Sequence, residues 1–446
     1  MANVKFIVQP GGTIQGRIRV PGDKSISHRS IMMGALAEGT TTVTGFLEGA
    51  DALATLQAFR EMGVQIEGPE NGNVTIHGVG LRGLKKPNKP LDMGNSGTST
   101  RLLAGIIAGQ DFDCTLVGDA SLSTRPMKRV TDPLALMGVE LETDEGGTLP
   151  MTIKGSGQSL KGIDYTLPMA SAQVKSCVLL AGLFAEGKTC ALEPAPTRDH
   201  TERMLNGFGY EVTSTQLDDD KMKACLQGGG KLTGRHIDVP SDISSAAFFM
   251  AAAAVSKGSD LVIEHVGMNP TRTGVVDILK LMGANIQLEN FHEVGGEPVA
   301  DVHIKYAPLK GIQIPASLVP LAIDEFPVLF VVAATAEGQT ILTGAEELRV
   351  KESDRIQVMV DALQAIGVDA VPTEDGMIIK GGVQSVQNAP ILSHHDHRIS
   401  MAMTVAGLNA VSEVVIDDCA NVNTSFPIFL ELINQVGMNV KALEEG

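Results

Sequence analysis

Eight cations stand at the starts of apolar segments: Lys24, Arg29, Arg101, Arg125, Arg198, Lys351, Arg355 and Arg398. Arginine grips carboxylates and phosphates bidentately, and lysine serves as a mobile point charge or an acid. Helix N-termini add unpaired N–H groups and a favourable dipole, so this placement builds anion sites. Asp324, Glu325 and Glu352 are the acid/base candidates. A carboxylate at a helix start is ordinarily a cap. Among converging cations it is held ionised as a base, and against an apolar wall it is held protonated as an acid. The chemistry expected is therefore proton transfer on anionic substrates.

Other motifs carry less. Gly94-Asn95-Ser96-Gly97-Thr98 is a small-residue turn that lets backbone amides approach a ligand, without the spacing of a nucleotide loop. His394-His395-Asp396-His397 suggests a metal, yet its spacing scatters the side chains over different helix faces, and no metal is expected. No nucleophile elbow is present, and His200 has no partner identifiable from sequence.

The elements that position these residues form a repeat. Six segments follow one plan: an apolar helix, a strand, a second helix ending at glycine, then further strand. The helix-ending glycines are Gly63, Gly138, Gly209, Gly283, Gly367 and Gly437, at spacings of 75, 71, 74, 84 and 70 residues. Such spacing fits a repeated βαβαββ unit of an α/β fold. Val20-Pro21 and Val239-Pro240 precede the first and fourth repeats, and proline biases its predecessor to extended backbone. Two similar lobes of three repeats each are expected, one from residues 1–20 plus 240–446 and one from 21–239. Two hinge crossings would join them across a cleft. In each repeat the first helix opens polar and continues almost wholly apolar, which aims its charged end at a ligand site.

Composition narrows the function. Of 446 residues, 35 are Lys or Arg and 52 are Asp or Glu, a net charge of −17 that disfavours nucleic acid and anionic membranes as partners. Tryptophan is absent and aromatics are 4 %, so base-stacking platforms are not expected. The longest apolar runs fall short of the roughly 20 residues that span a bilayer. Residues 1–12 lack the pattern of a signal peptide. The five cysteines, Cys114, Cys177, Cys190, Cys225 and Cys419, form no C-x-x-C pair. They predict a reducing, cytoplasmic compartment with no disulfide and no zinc site.

The chain resembles the 5-enolpyruvylshikimate-3-phosphate synthase family over nearly its whole length. The resemblance rests on Pro21-Gly22-Asp23-Lys24-Ser25-Ile26-Ser27-His28-Arg29, Gly94 to Thr98, Arg125-Pro126-Met127, Ser171-Ala172-Gln173-Val174-Lys175, Arg349 to Arg355, and Asp396-His397-Arg398. It implies a cofactor-free transferase of aromatic amino-acid biosynthesis, in the shikimate pathway. The enolpyruvyl group of phosphoenolpyruvate would pass to the 5-hydroxyl of shikimate 3-phosphate, releasing phosphate. Carried over by position, Lys24, Ser25, Arg29, Ser171, Gln173, Arg198, Asp324 and Lys351 would contact shikimate 3-phosphate. Lys24, Gly97, Arg125, Gln173, Arg355 and Arg398 would contact phosphoenolpyruvate. Glu352 would protonate the methylene carbon, Asp324 would accept the hydroxyl proton, and Lys24 would balance the departing phosphate. A monomer is implied, with glyphosate competing against phosphoenolpyruvate.

Two departures and two alternatives accompany that resemblance. Asp23 and Ile26-Ser27-His28 resemble the class II branch, and Thr424 stands where class I members carry lysine. A related transferase acting on UDP-N-acetylglucosamine shares the fold but usually has a cysteine on a mobile loop. Cys114 is expected instead to start a buried strand. A non-catalytic metabolite binder is the second alternative, and intact Asp324 and Glu352 argue against it.

Overall fold

Asp23 turns the extended chain into its first helix: its carboxylate accepts the Ile26 amide at 2.9 Å. The same device recurs. Ser96, Ser171, Asp242, Asp354 and Asp396 each cap a helix with their own side chain. The computed structural model describes residues 3–155, 159–217, 221–382 and 386–445. Twelve α-helices occur among them. Six are the first helices of the repeats: α1 (Lys24–Leu36), α3 (Gly97–Ala108), α5 (Ala172–Gly182), α7 (Ile243–Val255), α9 (Phe326–Thr335) and α11 (His397–Ala406). The second helices are α2 (Ala50–Glu61), α4 (Lys128–Leu136), α6 (His200–Gly207), α8 (Gly274–Leu281), α10 (Arg355–Ala365) and α12 (Phe429–Gln435).

The repeat is real in the backbone. The glycines that follow the six second helices all have positive φ, between 82° and 122°. That left-handed turn ends each helix and sends the chain into a strand. First helices are buried nearly all round: in α9 every residue from Phe326 to Ala334 is buried. Close packing demands small residues there. A Cβ on Gly105 of α3 would stand 2.3 Å from the Cys177 carbonyl oxygen of α5.

The chain divides into two units with separate apolar cores. An inserted unit holds Gly22–Val239 and the short stretch Val294–Glu297. A discontinuous unit holds the segment ending at Pro21, Pro240–Glu293 and the segment from Pro298 onward. Each unit is closed by its own ends. In the inserted unit, Leu232–Thr233 and His236–Asp238 supply the parallel edge to Ala37–Thr44 of the first repeat. In the discontinuous unit, Gln15–Ile18 runs parallel to Asp260–Gly267, and Asn3–Gln9 lies between Val414–Asp417 and Asn439–Glu445. This is why the first strands belong with the last three repeats.

One expectation is corrected. Cys190 and Cys225 form a disulfide, being register partners across antiparallel strands with Cα atoms 4.1 Å apart. Cys114, Cys177 and Cys419 are buried free thiols. Spacing along the chain could not reveal this pair, because strand pairing closes a gap of 35 residues. The cysteine argument for a reducing compartment falls with it.

Candidate active site

In the inserted unit the candidate residues sit on three capped helix starts. Lys24 opens α1, and its Nζ lies 3.2 Å from Asp51 of α2. Gly97 opens α3, where Ser96 accepts the Ser99 amide. Ser171 caps α5 by accepting the Val174 amide, and Gln173 lies in the first turn. Gln173 joins two helices: its Oε1 accepts Arg101 at 2.7 Å, and its Nε2 donates to Thr98 at 3.0 Å. Arg125, just before α4, donates to Asn95 at 2.9 Å and to Ser121 at 3.3 Å. A Cβ on Gly97 would lie 2.9 Å from Arg101 Nη1 and 3.4 Å from Arg125 Nη1. The Gly97 Cα therefore faces both guanidinium groups.

Behind these starts lies a buried polar layer. Arg29 donates to Thr201, to the Ser25 carbonyl and to Ser176. Burial lowers its pKa to about 10. Arg29 is thus placed to tie α1 to α5 and α6, with its guanidinium spent largely inside the unit. Lys175, 2 % exposed, reaches Glu193 at 2.9 Å and Glu202 at 2.8 Å. Burial opposes its charge, but the two carboxylates outweigh burial and raise its pKa. Thr197 donates to Glu193, which anchors the half-buried segment carrying Arg198. His200 Nδ1 has a partner after all, Glu297 at 2.8 Å. That residue is 97 positions away, beyond the reach of pattern reading.

The discontinuous unit is built around one guanidinium. Arg355, the first residue of α10, is 1 % exposed. Its Nε donates to Asp396 at 2.8 Å, its Nη1 to Asp324 at 3.2 Å and its Nη2 to Glu352 at 2.7 Å. Burial alone would lower the Arg355 pKa, yet Asp396, Glu352 and Asp324 outweigh it and raise the value. Asp396 is wholly buried; burial pushes its pKa up, and Arg355 overcomes that to hold it below the usual range. Lys351 Nζ stands 2.5 Å from Glu347 and 3.7 Å from Asp324. Arg398 donates to the Asp324 carbonyl at 3.0 Å and lies 3.7 Å from Glu325.

The carboxylates now separate by task. Asp354 and Asp396 cap helices. Glu325 is buried and accepts the Ser244 hydroxyl. Neither Asp324 nor Glu352 is the N-cap of a helix: Asp324 lies in a 3₁₀ turn, Ile323–Glu325, and Glu352 in the segment before α10, whose cap is Asp354. Both are partly exposed on the outer side of Arg355, at 14 % and 33 %. Asp396, part of the Asp396-His397-Arg398 motif but given no role from sequence, is the innermost carboxylate on Arg355. Among the described residues, no cluster of metal-ligating side chains occurs. Thr424 uses its hydroxyl on the Asn421 carbonyl of its own turn. Cys114 does begin a strand, Cys114–Val117, and burial pushes its thiol up to about 12.

A family described as EPSP synthase (3-phosphoshikimate 1-carboxyvinyltransferase) matches residues 8–433. A 3-phosphoshikimate 1-carboxyvinyltransferase of Hydrogenovibrio crunogenus is 75 % identical over 442 residues, 99 % of either chain. One from Alkalilimnicola ehrlichii is 64 % identical over 435 residues, covering 98 % of this chain and 96 % of its own. The solved EPSP synthase of Acinetobacter baumannii is similar at a TM-score of 0.89 and 59 % identity, over 99 % of this chain and 100 % of that one.

Proposed function

The chain belongs to the EPSP synthase family, and from that premise we propose how its own residues transfer the enolpyruvyl group of phosphoenolpyruvate to shikimate 3-phosphate. In the inserted unit, Lys24, Ser25, Arg29, Ser171, Gln173 and Arg198 serve shikimate 3-phosphate. Lys24, Gly97, Arg125 and Gln173 serve phosphoenolpyruvate. In the discontinuous unit, Asp324 and Lys351 serve shikimate 3-phosphate, while Arg355 and Arg398 serve phosphoenolpyruvate. The observation that carries the reading is Arg355, which holds the two acid/base candidates on one guanidinium.

Phosphoenolpyruvate is a poor electrophile until its methylene carbon gains a proton. Glu352 gives that proton and Asp324 takes the proton of the attacking 5-hydroxyl. A bond forms from the 5-oxygen to carbon 2, giving a tetrahedral intermediate. The methylene proton then returns to Glu352, the carbon 2–phosphate bond breaks, and Lys24 balances the leaving phosphate. In the free protein Arg355 Nη2 donates to Glu352. An incoming substrate carboxylate competes for that guanidinium. Glu352 is the partner to give way, being the more exposed, whereas Asp396 stays buried beneath. Released from Arg355, Glu352 can turn to the substrate and serve as the acid. Substrate binding thus prepares the proton donor.

Phosphate release decides the substrate pair. Release with phosphoenolpyruvate plus shikimate 3-phosphate, without added metal, is expected. Release with UDP-N-acetylglucosamine instead would overturn the reading, and the unreactive Cys114 thiol speaks against that outcome. A cytoplasmic location and a monomer belong to the same proposal; the first rests on the pathway, and gel filtration at the mass of one chain tests the second.

A further inference from the structure

His28 is a polar residue with no evident reason to be inside. It is wholly buried in α1, and its Nε2 has no hydrogen-bond partner among the described residues. An apolar side chain would fill the space without that cost. What the imidazole does is on its other nitrogen. Nδ1 lies 2.7 Å from Thr55 Oγ1 of α2 and 3.3 Å from Ser99 Oγ of α3. Thr55 Oγ1 lies 2.6 Å from Ser99 Oγ, which lies 2.6 Å from Ser96 Oγ. Thr55, Ser96 and Ser99 are all buried. Burial holds the ring neutral, with its pKa lowered to about 3. With its proton on Nδ1 the ring donates into the chain and leaves a bare acceptor at Nε2, the cheaper vacancy.

We propose that His28 is a positioning residue for the phosphoenolpyruvate subsite, acting through Thr55 and Ser99 on Ser96 and so on the Gly97 turn. This rests on the assignment of Gly97 to phosphoenolpyruvate. The chain spans three helices and ends on the cap that orients the first turn of α3. That turn carries Gly97, Thr98 and Arg101, and the last two are already bound to Gln173. A shift of a few tenths of an ångström in the cap changes how Gly97 meets the guanidinium groups of Arg101 and Arg125. The relay reaches shikimate 3-phosphate only through Gln173, which serves both substrates, and makes no link to Ser171 or Arg198, so binding of that substrate should change far less.

Steady-state kinetics of His28→Leu, Thr55→Val and Ser99→Ala test this, with glyphosate titrated calorimetrically into protein saturated with shikimate 3-phosphate. Each variant is expected to raise KM for phosphoenolpyruvate five- to twentyfold and to change the glyphosate Kd by at least threefold. kcat and KM for shikimate 3-phosphate should stay within twofold. The His28→Leu/Ser99→Ala pair should be no worse than the worse single change, because both cut one chain. If His28→Leu does not fold, the other two variants decide. Unchanged phosphoenolpyruvate KM in Thr55→Val and Ser99→Ala overturns the proposal. So does a parallel rise in both substrate KM values, the mark of a merely structural role. Glyphosate binding needs no turnover, so it reads the relay even if wild-type phosphate release were to fail, which would count against the function reading alone.

Discussion

The inserted and discontinuous units carry cations at equivalent helix starts but surround them differently. In the inserted unit Arg101 and Arg125 donate to neutral oxygens of Gln173, Asn95 and Ser121, and among its helix-start cations Lys24 pairs with a carboxylate, Asp51. In the discontinuous unit Arg355, Lys351 and Arg398 face Asp324, Glu325, Glu347, Glu352 and Asp396. Neutral partners orient a guanidinium and leave its charge in place for an anion. Carboxylate partners cancel the charge, and an incoming anion must displace them. On the proposed assignment one architecture would serve as a binding surface in one unit and a proton-transfer centre in the other, the difference lying in what stands beside the arginines.

Kinetics can break that contrast most directly. Asp324→Asn and Glu352→Gln are each expected to lower kcat by about 10²–10⁴, with both KM values changed by less than fivefold. Arg125→Met should instead raise KM for phosphoenolpyruvate by tenfold or more and leave kcat within tenfold. Initial-rate measurements over both substrates check this. A normal kcat in Glu352→Gln would remove that residue from the mechanism, and a pure kcat loss in Arg125→Met would erase the contrast.

Stability sharpens it next. Asp396→Asn removes the innermost partner of a buried guanidinium, and breaking a buried pair costs about 3–5 kcal/mol. Urea unfolding should show that loss at neutral pH. The sign with pH is fixed by a folded pKa held below the unfolded one. The Asp396 contribution is complete above the unfolded value near pH 4 and fades as pH falls through the folded value. The gap between wild type and Asp396→Asn should therefore narrow in acid.

His28 tests the other unit in the same terms. Its folded pKa of about 3 lies below the ordinary imidazole value of 6.5, because burial disfavours the charged ring. The unfolded chain takes up a proton that the folded one refuses, so stability is complete above about pH 6.5 and falls between there and 3. The slope is about 1.4 kcal/mol per pH unit, and it should vanish from the difference curve of His28→Leu. Equal slopes in the two proteins would mean that the ring is not held neutral.

Much of this was legible in sequence, for reasons that also mark where legibility stops. Glycines such as Gly63 and Gly437 end helices by a local backbone rule, so the repeat could be counted along the chain. Burial of α9 follows from its composition, because a helix apolar on every side has no face for water. The decisive partners of several buried polar residues were not local. Asp396 meets Arg355 across 41 residues, His200 meets Glu297 across 97, and Cys190 meets Cys225 only through strand register. Whether a helix-start carboxylate caps or stands clear was equally hidden. Asp354 and Glu352 are two positions apart and do opposite things, since only backbone geometry decides which one reaches an amide.

The smallest effect expected is the most specific. Gly97→Ala adds one methyl at the start of α3, where the backbone has ordinary φ and no strain arises from the substitution itself. The new Cβ would stand 2.9 Å from Arg101 Nη1 and 3.4 Å from Arg125 Nη1. Both atoms end flexible side chains, so the guanidinium groups move aside by a few tenths of an ångström and folding survives. Phosphoenolpyruvate is short and planar and tolerates a slightly displaced pair. If Gly97 faces the phosphoenolpyruvate subsite as proposed, glyphosate, a longer flexible chain competing for that subsite, would meet the added methyl more than the substrate does. Gly97→Ala should thus raise the glyphosate inhibition constant at least tenfold, about 1.4 kcal/mol, with KM for phosphoenolpyruvate raised less than fivefold. Inhibition assays at varied phosphoenolpyruvate check both numbers. Equal inhibition constants in the two proteins would place glyphosate away from Gly97 and detach that turn from the anion surface of the inserted unit.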